Sequence, residues 1–303
     1  MQMITSRRQA WAYLSRVSGG ANSVLAGAVA SLGPVETAER VARGDIAAHP
    51  GLRNLEPDAA NADLAVIDGL GGRLVTPDEA EWPAAAFAPL ATLQDSSMPL
   101  ALWVLGRSLL PRALSPAAIA ITGSRSGTQY GRHVAADLTN DLLNAGLNVT
   151  TLSDEGICRA AISSAVATRP TALTILSANG VDVPQSDGIQ RLLNAAVTHG
   201  GLVVSEAPPG TRSASMKRRV DQVRMLAALT RGVVVVEAGQ RDTSDALARA
   251  ARSLDRFVGA VPGPITSEMS VGTHQLLRTG ATVVTGLDDV QASLRAQRQA
   301  GAA

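Results

Sequence analysis

The chain is 303 residues long with 46% hydrophobic and 17% charged residues, a composition that buries a core without covalent staples, and its one cysteine, Cys158, excludes an intramolecular disulfide or a cysteine metal cluster. A net charge of +1 excludes a protein that coats nucleic acid by charge alone; residues 1–100 carry seven Lys/Arg against eleven Asp/Glu and the remainder twenty against fifteen, so any polyanion-binding face belongs to the second part. No stretch approaches the length of an apolar membrane span, and MQMITSRRQAW lacks the apolar run of a signal peptide, so a cytoplasmic protein without membrane contact is expected.

The first part reads as short helices. Arg8 to Val17 carries Trp11, Leu14 and Val17 at helical spacing, Asn22 caps a second helix through Leu32, and Pro34 opens a third that ends near Gly44. Further helices are expected between Pro57 and Leu70 and over Asp78 to Ala91, with Pro83 in a first turn or introducing a kink. The apolar run PLALWVLG (99–106) is expected to be a strand entering the next domain.

From about residue 116 apolar strands alternate with amphipathic helices. Strands are expected at 118–122, 147–152, 171–176, 201–205, 232–237, 257–261 and 281–285, and helices at 130–145, 156–168, 187–199, 214–230, 244–254, 270–279 and 287–298. Gly146, Gly200 and Gly280 stand where left-handed helix caps are expected. This order predicts an α/β fold: an open, mostly parallel sheet with helices on both faces, preceded by a small helical N-terminal domain. The expected boundaries are 1–98 for the helical domain, 99–290 for the sheet domain and 291–303 for a helical or frayed tail. Val233 to Val236 is the candidate central strand, and ligands are expected at the carboxyl ends of the strands.

The turn after the first of these strands, in ITGSRSGTQYG (121–131), has the composition of an anion site. Unpaired N–H groups at a helix start, the helix dipole and the planar donor fork of Arg125 all favour a phosphate. The glycine spacing matches neither the dinucleotide fingerprint nor the P-loop, so the ligand stays open, as does an ordinary strand-to-helix turn with a solvated arginine. Catalytic motifs are missing: there is no Gly-x-Ser-x-Gly elbow and no His-Glu-x-x-His, and the four histidines are scattered. No catalytic residue, metal or cofactor is therefore expected. Cys158, near a helix start, reads as buried filler. Lys217, Arg218, Arg219 and Arg224 crowd one helical region, with Arg231 and Arg241 beyond it; residues 217, 224 and 231 share a side if the helix continues that far. With only Tyr130 and Phe257 as aromatics beyond residue 116, nucleic-acid binding there must rest on phosphates.

ITGSRSGTQYG, followed by SEAPPGTR (205–212), VVVVEAGQR (233–241), AVPGPITS (260–267) and GTHQLLRTGA (272–281), resembles in order and spacing the DNA-processing protein A family, DprA or Smf. AWAYLSRV, GPVETAERV and PLALWVLG extend the resemblance over nearly the whole chain, to about Val290. It implies a Rossmann-like domain that binds single-stranded DNA, forms a homodimer and delivers the strand to a RecA-type recombinase in recombination or transformation, without catalysis. The nucleic-acid-binding set it implies is Gly123, Ser124, Arg125, Tyr130, Gly131, Gly156, Lys217, Arg218, Arg224 and Arg241.

Departures from the family pattern cluster near that set. The loop Leu152–Cys158 places Glu155 where the family has a basic residue and Cys158 where it has aspartate; Gln222-Val223-Arg224 replaces Arg-Asn-Arg. An anion in place of a cation opposes a phosphate. The alternatives are a nucleotide-binding sensor or enzyme using the same pocket, and an interaction protein that keeps the dimer without DNA. The segment PPGTRSAS lacks the glutamate of the phosphoribohydrolase Pro-Gly-Gly-x-Gly-Thr-x-x-Glu pattern, which argues against that chemistry.

Overall fold

The computed structural model describes residues 4, 6–47, 57–92, 98–114, 117–212, 216–240 and 242–300. It divides into two compact units, and the division does not follow one cut in the chain: the first holds Met1–Gly106, Ser177–Pro184 and Val203–Asp221, the second Arg107–Leu176, Gln185–Leu202 and Gln222–Ala303.

In the first unit, α1 (Arg7–Ser18), α2 (Ser23–Leu32), α3 (Pro34–Arg43) and α4 (Asp58–Gly69) form the helical part, with α1 against both α3 and α4. The capping residues act as their chemistry dictates. Ser6 accepts from the Gln9 N–H at 3.1 Å and Asn22 from the Leu25 N–H at 3.1 Å, satisfying donors that a helix start leaves unpaired. Trp103 is fully buried, and its indole N–H donates to Ser15 Oγ at 3.0 Å. Trp103 lies on β2 (Leu102–Leu105), the strand expected in PLALWVLG; β2 pairs antiparallel with β1 (Arg73–Val75) on one side and with β6 (Leu202–Ser205) on the other.

Here one strand was not foreseen and one expected helix is not formed in full. The sequence does not signal β1, whose three residues become a strand only by pairing with β2. The helix expected over Asp78 to Ala91 is reduced to α5 (Ala84–Phe87) and a 3₁₀ turn (Ala88–Thr92). Pro83 supplies no N–H, and ahead of it Glu79 folds back to accept from the Thr76 hydroxyl at 2.8 Å, closing a turn.

The second unit carries the alternating part: α6 (Leu110–Leu114), β3 (Ala118–Thr122), α7 (Gln129–Asn144), β4 (Asn148–Leu152), α8 (Ile157–Thr168), β5 (Leu173–Leu176), α9 (Asp187–Thr198), the greater part of α10 (Met216–Ala228), β7 (Gly232–Val235), α11 (Ser244–Ser253), β8 (Phe257–Ala260), α12 (Val271–Arg278), β9 (Thr282–Val283) and α13 (Leu287–Ala300). The strand and helix positions match the sequence expectation closely, and Gly146, Gly200 and Gly280 have the positive φ of helix caps. Six strands run in the order β5-β4-β3-β7-β8-β9, every adjacent pair parallel. From β3 the chain moves outward through α7 and α8 to β4 and β5; from β7 it moves the opposite way through α11 and α12. Parallel crossovers follow a right-handed sense, so crossovers running in opposite directions place helices on both faces, which is the Rossmann-like arrangement. Ile119, Ile121 and Val233 to Val235 are buried, as a strand covered on both sides requires.

Candidate functional site

β3 and β7 are neighbours, and the strand order reverses between them. In an open parallel sheet this is where a crevice opens at the carboxyl ends. The turn Gly123–Thr128 leaves β3 there, Glu237 follows β7, and α7 begins between them.

The turn is held almost entirely by its own backbone and by Glu237. Ser124 is 6% exposed and all its polar groups are engaged: its N–H donates to the Glu237 carbonyl at 2.7 Å, its carbonyl accepts from Gly127 and Ile157, and its hydroxyl accepts from the Ser126 N–H and meets Met269 Sδ at 3.3 Å. Ser124 is thus a scaffold of the turn. Thr128 caps α7, its hydroxyl accepting from the Gly131 N–H at 3.1 Å. The Glu237 carboxylate, on a residue 4% exposed, accepts from the Thr128 N–H at 2.7 Å and the Thr128 hydroxyl at 2.6 Å. Gly131 leaves room for that carboxylate, since a Cβ there would meet the Glu237 side chain. Gly156 has φ 68° and lies against the backbone of Ser124 and Arg125, so it too shapes the turn.

Two side chains of the expected set face outward. Arg125 is 58% exposed, with Asp154 Oδ1 at 3.5 Å from its Nε. A pair so exposed contributes little and can exchange its partner for a phosphate. Tyr130 is half-exposed, its hydroxyl donating to the Pro262 carbonyl at 3.1 Å, and it borders a cleft of about 320 Å³ whose wall includes Asp137 and Asp141. Those carboxylates make the cleft itself a poor seat for an anion.

Glu155, the departure that opposes a phosphate, is committed elsewhere. It accepts from the Ser186 hydroxyl at 2.6 Å and pairs with Arg159 one helical turn on at 3.5 Å. A further carboxyl, Asp242, has its pKa pushed up by burial, with Asp154 adding to the shift and the N–H groups of Thr243 and Ser244 opposing it. Burial raises the Cys158 thiol pKa as well, and at 1% exposure the cysteine is core, as its sequence position suggested.

The helix that carries the basic residues ends sooner than their seven-residue spacing requires. α10 ends at Ala228, so the seven-residue spacing does not continue to Arg231. Arg224 is 6% exposed, and its neighbour Gln222 donates to the Leu176 carbonyl at 2.8 Å from inside the second unit. Lys217 and Arg218 lie on the first turn of α10, within the first unit; their side chains, and all of Arg241, lie outside the described residues. The structure therefore brings together Gly123, Ser124, Arg125, Tyr130, Gly131 and Gly156; of the later basic residues in the expected set it describes the side chain of Arg224 alone, and that one is buried. Glu237, Thr128 and Asp154, none of them in the expected binding set, complete the site. The available signal was Glu237 itself, a carboxylate directly after a run of four valines.

The sequence profile of the family described as DNA recombination-mediator protein A matches residues 73–295. A Mycobacterium tuberculosis protein bearing the DprA name is 42% identical over 297 residues, covering 95% of this chain and 75% of its own length. The Escherichia coli protein Smf is 30% identical over 213 residues, covering 69% of this chain and 54% of its own. The X-ray structure of DNA processing protein A (DprA) from Streptococcus pneumoniae superposes with a TM-score of 0.72 at 21% identity, covering 96% of this chain and 98% of that one. DNA processing protein A from Helicobacter pylori, described for its single-stranded DNA binding mode, superposes with a TM-score of 0.62 at 21% identity over 74% of this chain and 97% of that one. The two superpositions speak for the fold.

Proposed function

The chain belongs to the DNA recombination-mediator protein A family, and from that premise we propose that it binds single-stranded DNA at the carboxyl ends of β3 and β7. The observation that carries the reading is Arg125, a guanidinium held outward on a rigid turn at the sheet's switch point. Its planar fork suits a phosphate oxygen pair, and the half-exposed Tyr130 offers a ring on which a base can stack. The Helicobacter relative's reported binding of single-stranded DNA supports the same reading.

The finer role follows the family. The protein acts by binding and performs no reaction of its own; it works as a homodimer in the cytoplasm and passes the strand to a RecA-type recombinase in recombination or transformation. No described helix is long and apolar enough to cross a membrane. The decisive test is a fluorescence-anisotropy titration with labelled single- and double-stranded oligonucleotides at several salt concentrations. Preference for the single strand, with affinity falling as salt rises, is the expected result. Absence of binding at low salt would overturn the reading.

A further inference from the structure

We propose that Glu237 is a built-in occupant of the phosphate seat of this Rossmann-like fold, a specificity-determining residue that closes the N-terminus of α7 to free nucleotides and leaves anion recognition to Arg125. Folds of this class place a ligand's phosphate at the helix that follows the strand next to the switch point, where N–H groups and the helix dipole meet it. α7 is that helix here. A protein carboxylate already stands there: Glu237 accepts from the Thr128 N–H at 2.7 Å and the Thr128 hydroxyl at 2.6 Å while its main-chain carbonyl accepts from the Ser124 N–H at 2.7 Å.

Two glycines are fitted to Glu237, one to its side chain and one to its main chain. Gly131, on the first turn of α7, lacks the Cβ that would strike the Glu237 side chain, and a Cβ on Gly123 would lie 2.6 Å from the Glu237 carbonyl oxygen. Glu237 is buried with its acceptors used, so it does not reach out to a ligand. A phosphate brought to the same N–H groups would have to displace it or share a poorly solvated seat with it, and like charges at that distance repel strongly. An anion can still meet Arg125, which lies outside the buried layer at 58% exposure. The arrangement thus discriminates by position. A phosphate within a long polyanion can lie across the exposed arginine, whereas a mononucleotide, which depends on the deep seat for its affinity, finds it filled.

The test uses inorganic phosphate and AMP as probes, against chloride of equal ionic strength, on the full chain carrying Arg125→Ala with Glu237 either intact or changed to Ala. With Glu237 intact, neither probe is expected to bind by calorimetry or to move the melting temperature. With Glu237→Ala, phosphate is expected to raise the melting temperature by at least ~2 °C, because it refills the emptied seat and binds only the folded state. A variant that folds only when phosphate is present gives the same support. Calorimetric binding of phosphate or AMP to the Arg125→Ala protein with Glu237 intact would overturn the proposal, and so would a folded Glu237→Ala variant indifferent to phosphate. Because single-stranded DNA is not a probe here, failure of this proposal and failure of the DNA-binding reading are separately visible.

Discussion

A Cβ placed on Gly131 would lie 2.8 Å from Cγ of Glu237 and nearer still to its carboxylate, so these two residues, on α7 and just after β7, are shaped to each other. Gly131→Ala therefore forces either the helix start or the buried glutamate to move. We expect a loss of about 1–3 kcal/mol, the usual cost of overpacking a buried site. In a thermal melt, the double variant with Glu237→Ala should lose less than the sum of the two single losses, since the clash disappears with the side chain.

Arg125→Ala should weaken single-stranded DNA binding and flatten its salt dependence by about 0.7 in the slope of log K against log salt, the counterion release of one phosphate contact. Anisotropy titrations at four or more salt concentrations measure both quantities. An unchanged slope would remove Arg125 from the interface.

Ser15→Ala strips Trp103 of its acceptor in a fully buried setting, where the indole N–H donates to Ser15 Oγ at 3.0 Å. An unpaired buried donor costs about 1–3 kcal/mol, read as a lowered midpoint in urea. Replacing Trp103 by Phe in the same background should recover the part of the loss that belongs to the orphaned N–H.

The Cys158 thiol should resist labelling by a disulfide reagent at pH 8 until the protein is unfolded, because burial, joined by the charge of Asp154, disfavours its thiolate. The sign of the linked pH effect follows. A folded pKa above the unfolded value, about 8.5 for a free cysteine, favours folding fully below that value, and the contribution fades as pH rises through the folded pKa. Cys158→Ala should flatten the alkaline loss of stability.

Asp78 behaves in the opposite sense. Its carboxylate accepts from Arg7 at 2.9 and 2.7 Å and from the Trp11 indole N–H at 2.7 Å, and the Arg7 hydrogen bonds hold its pKa below the ordinary carboxylate value. The stabilisation is present above the unfolded pKa, about 3.9, and is lost as pH falls through the depressed folded value. Asp78→Asn should reduce the acid-side loss of melting temperature, by a modest amount because solvent screens a site this exposed.

Much of the architecture was legible along the chain because it is local. Periodic apolar residues separated by glycine caps mark β3 to α13, and Asn22 and Pro34 mark the starts of α2 and α3 through backbone chemistry confined to a few neighbours. The turn Gly123–Thr128 was equally visible as a helix entry near an arginine. Less visible was β1, three residues long, whose strand character comes from β2.

The sequence by itself determined that the chain alternates strand and helix, that Cys158 has no disulfide partner within the chain, and that Arg125 stands on a turn suited to an anion. Only tertiary structure decided which charges stand at that turn. Glu237 is more than a hundred positions from Thr128, and the parallel pairing of β3 with β7 sets its carboxylate on the α7 N-terminus. Arg224, basic and on a predicted helix, was buried by the packing of α10, while Asp154 came to face Arg125 from the end of β4. Propensity and period act between neighbours in the chain; the electrostatics of a site depend on distances across the sheet, which the strand order creates.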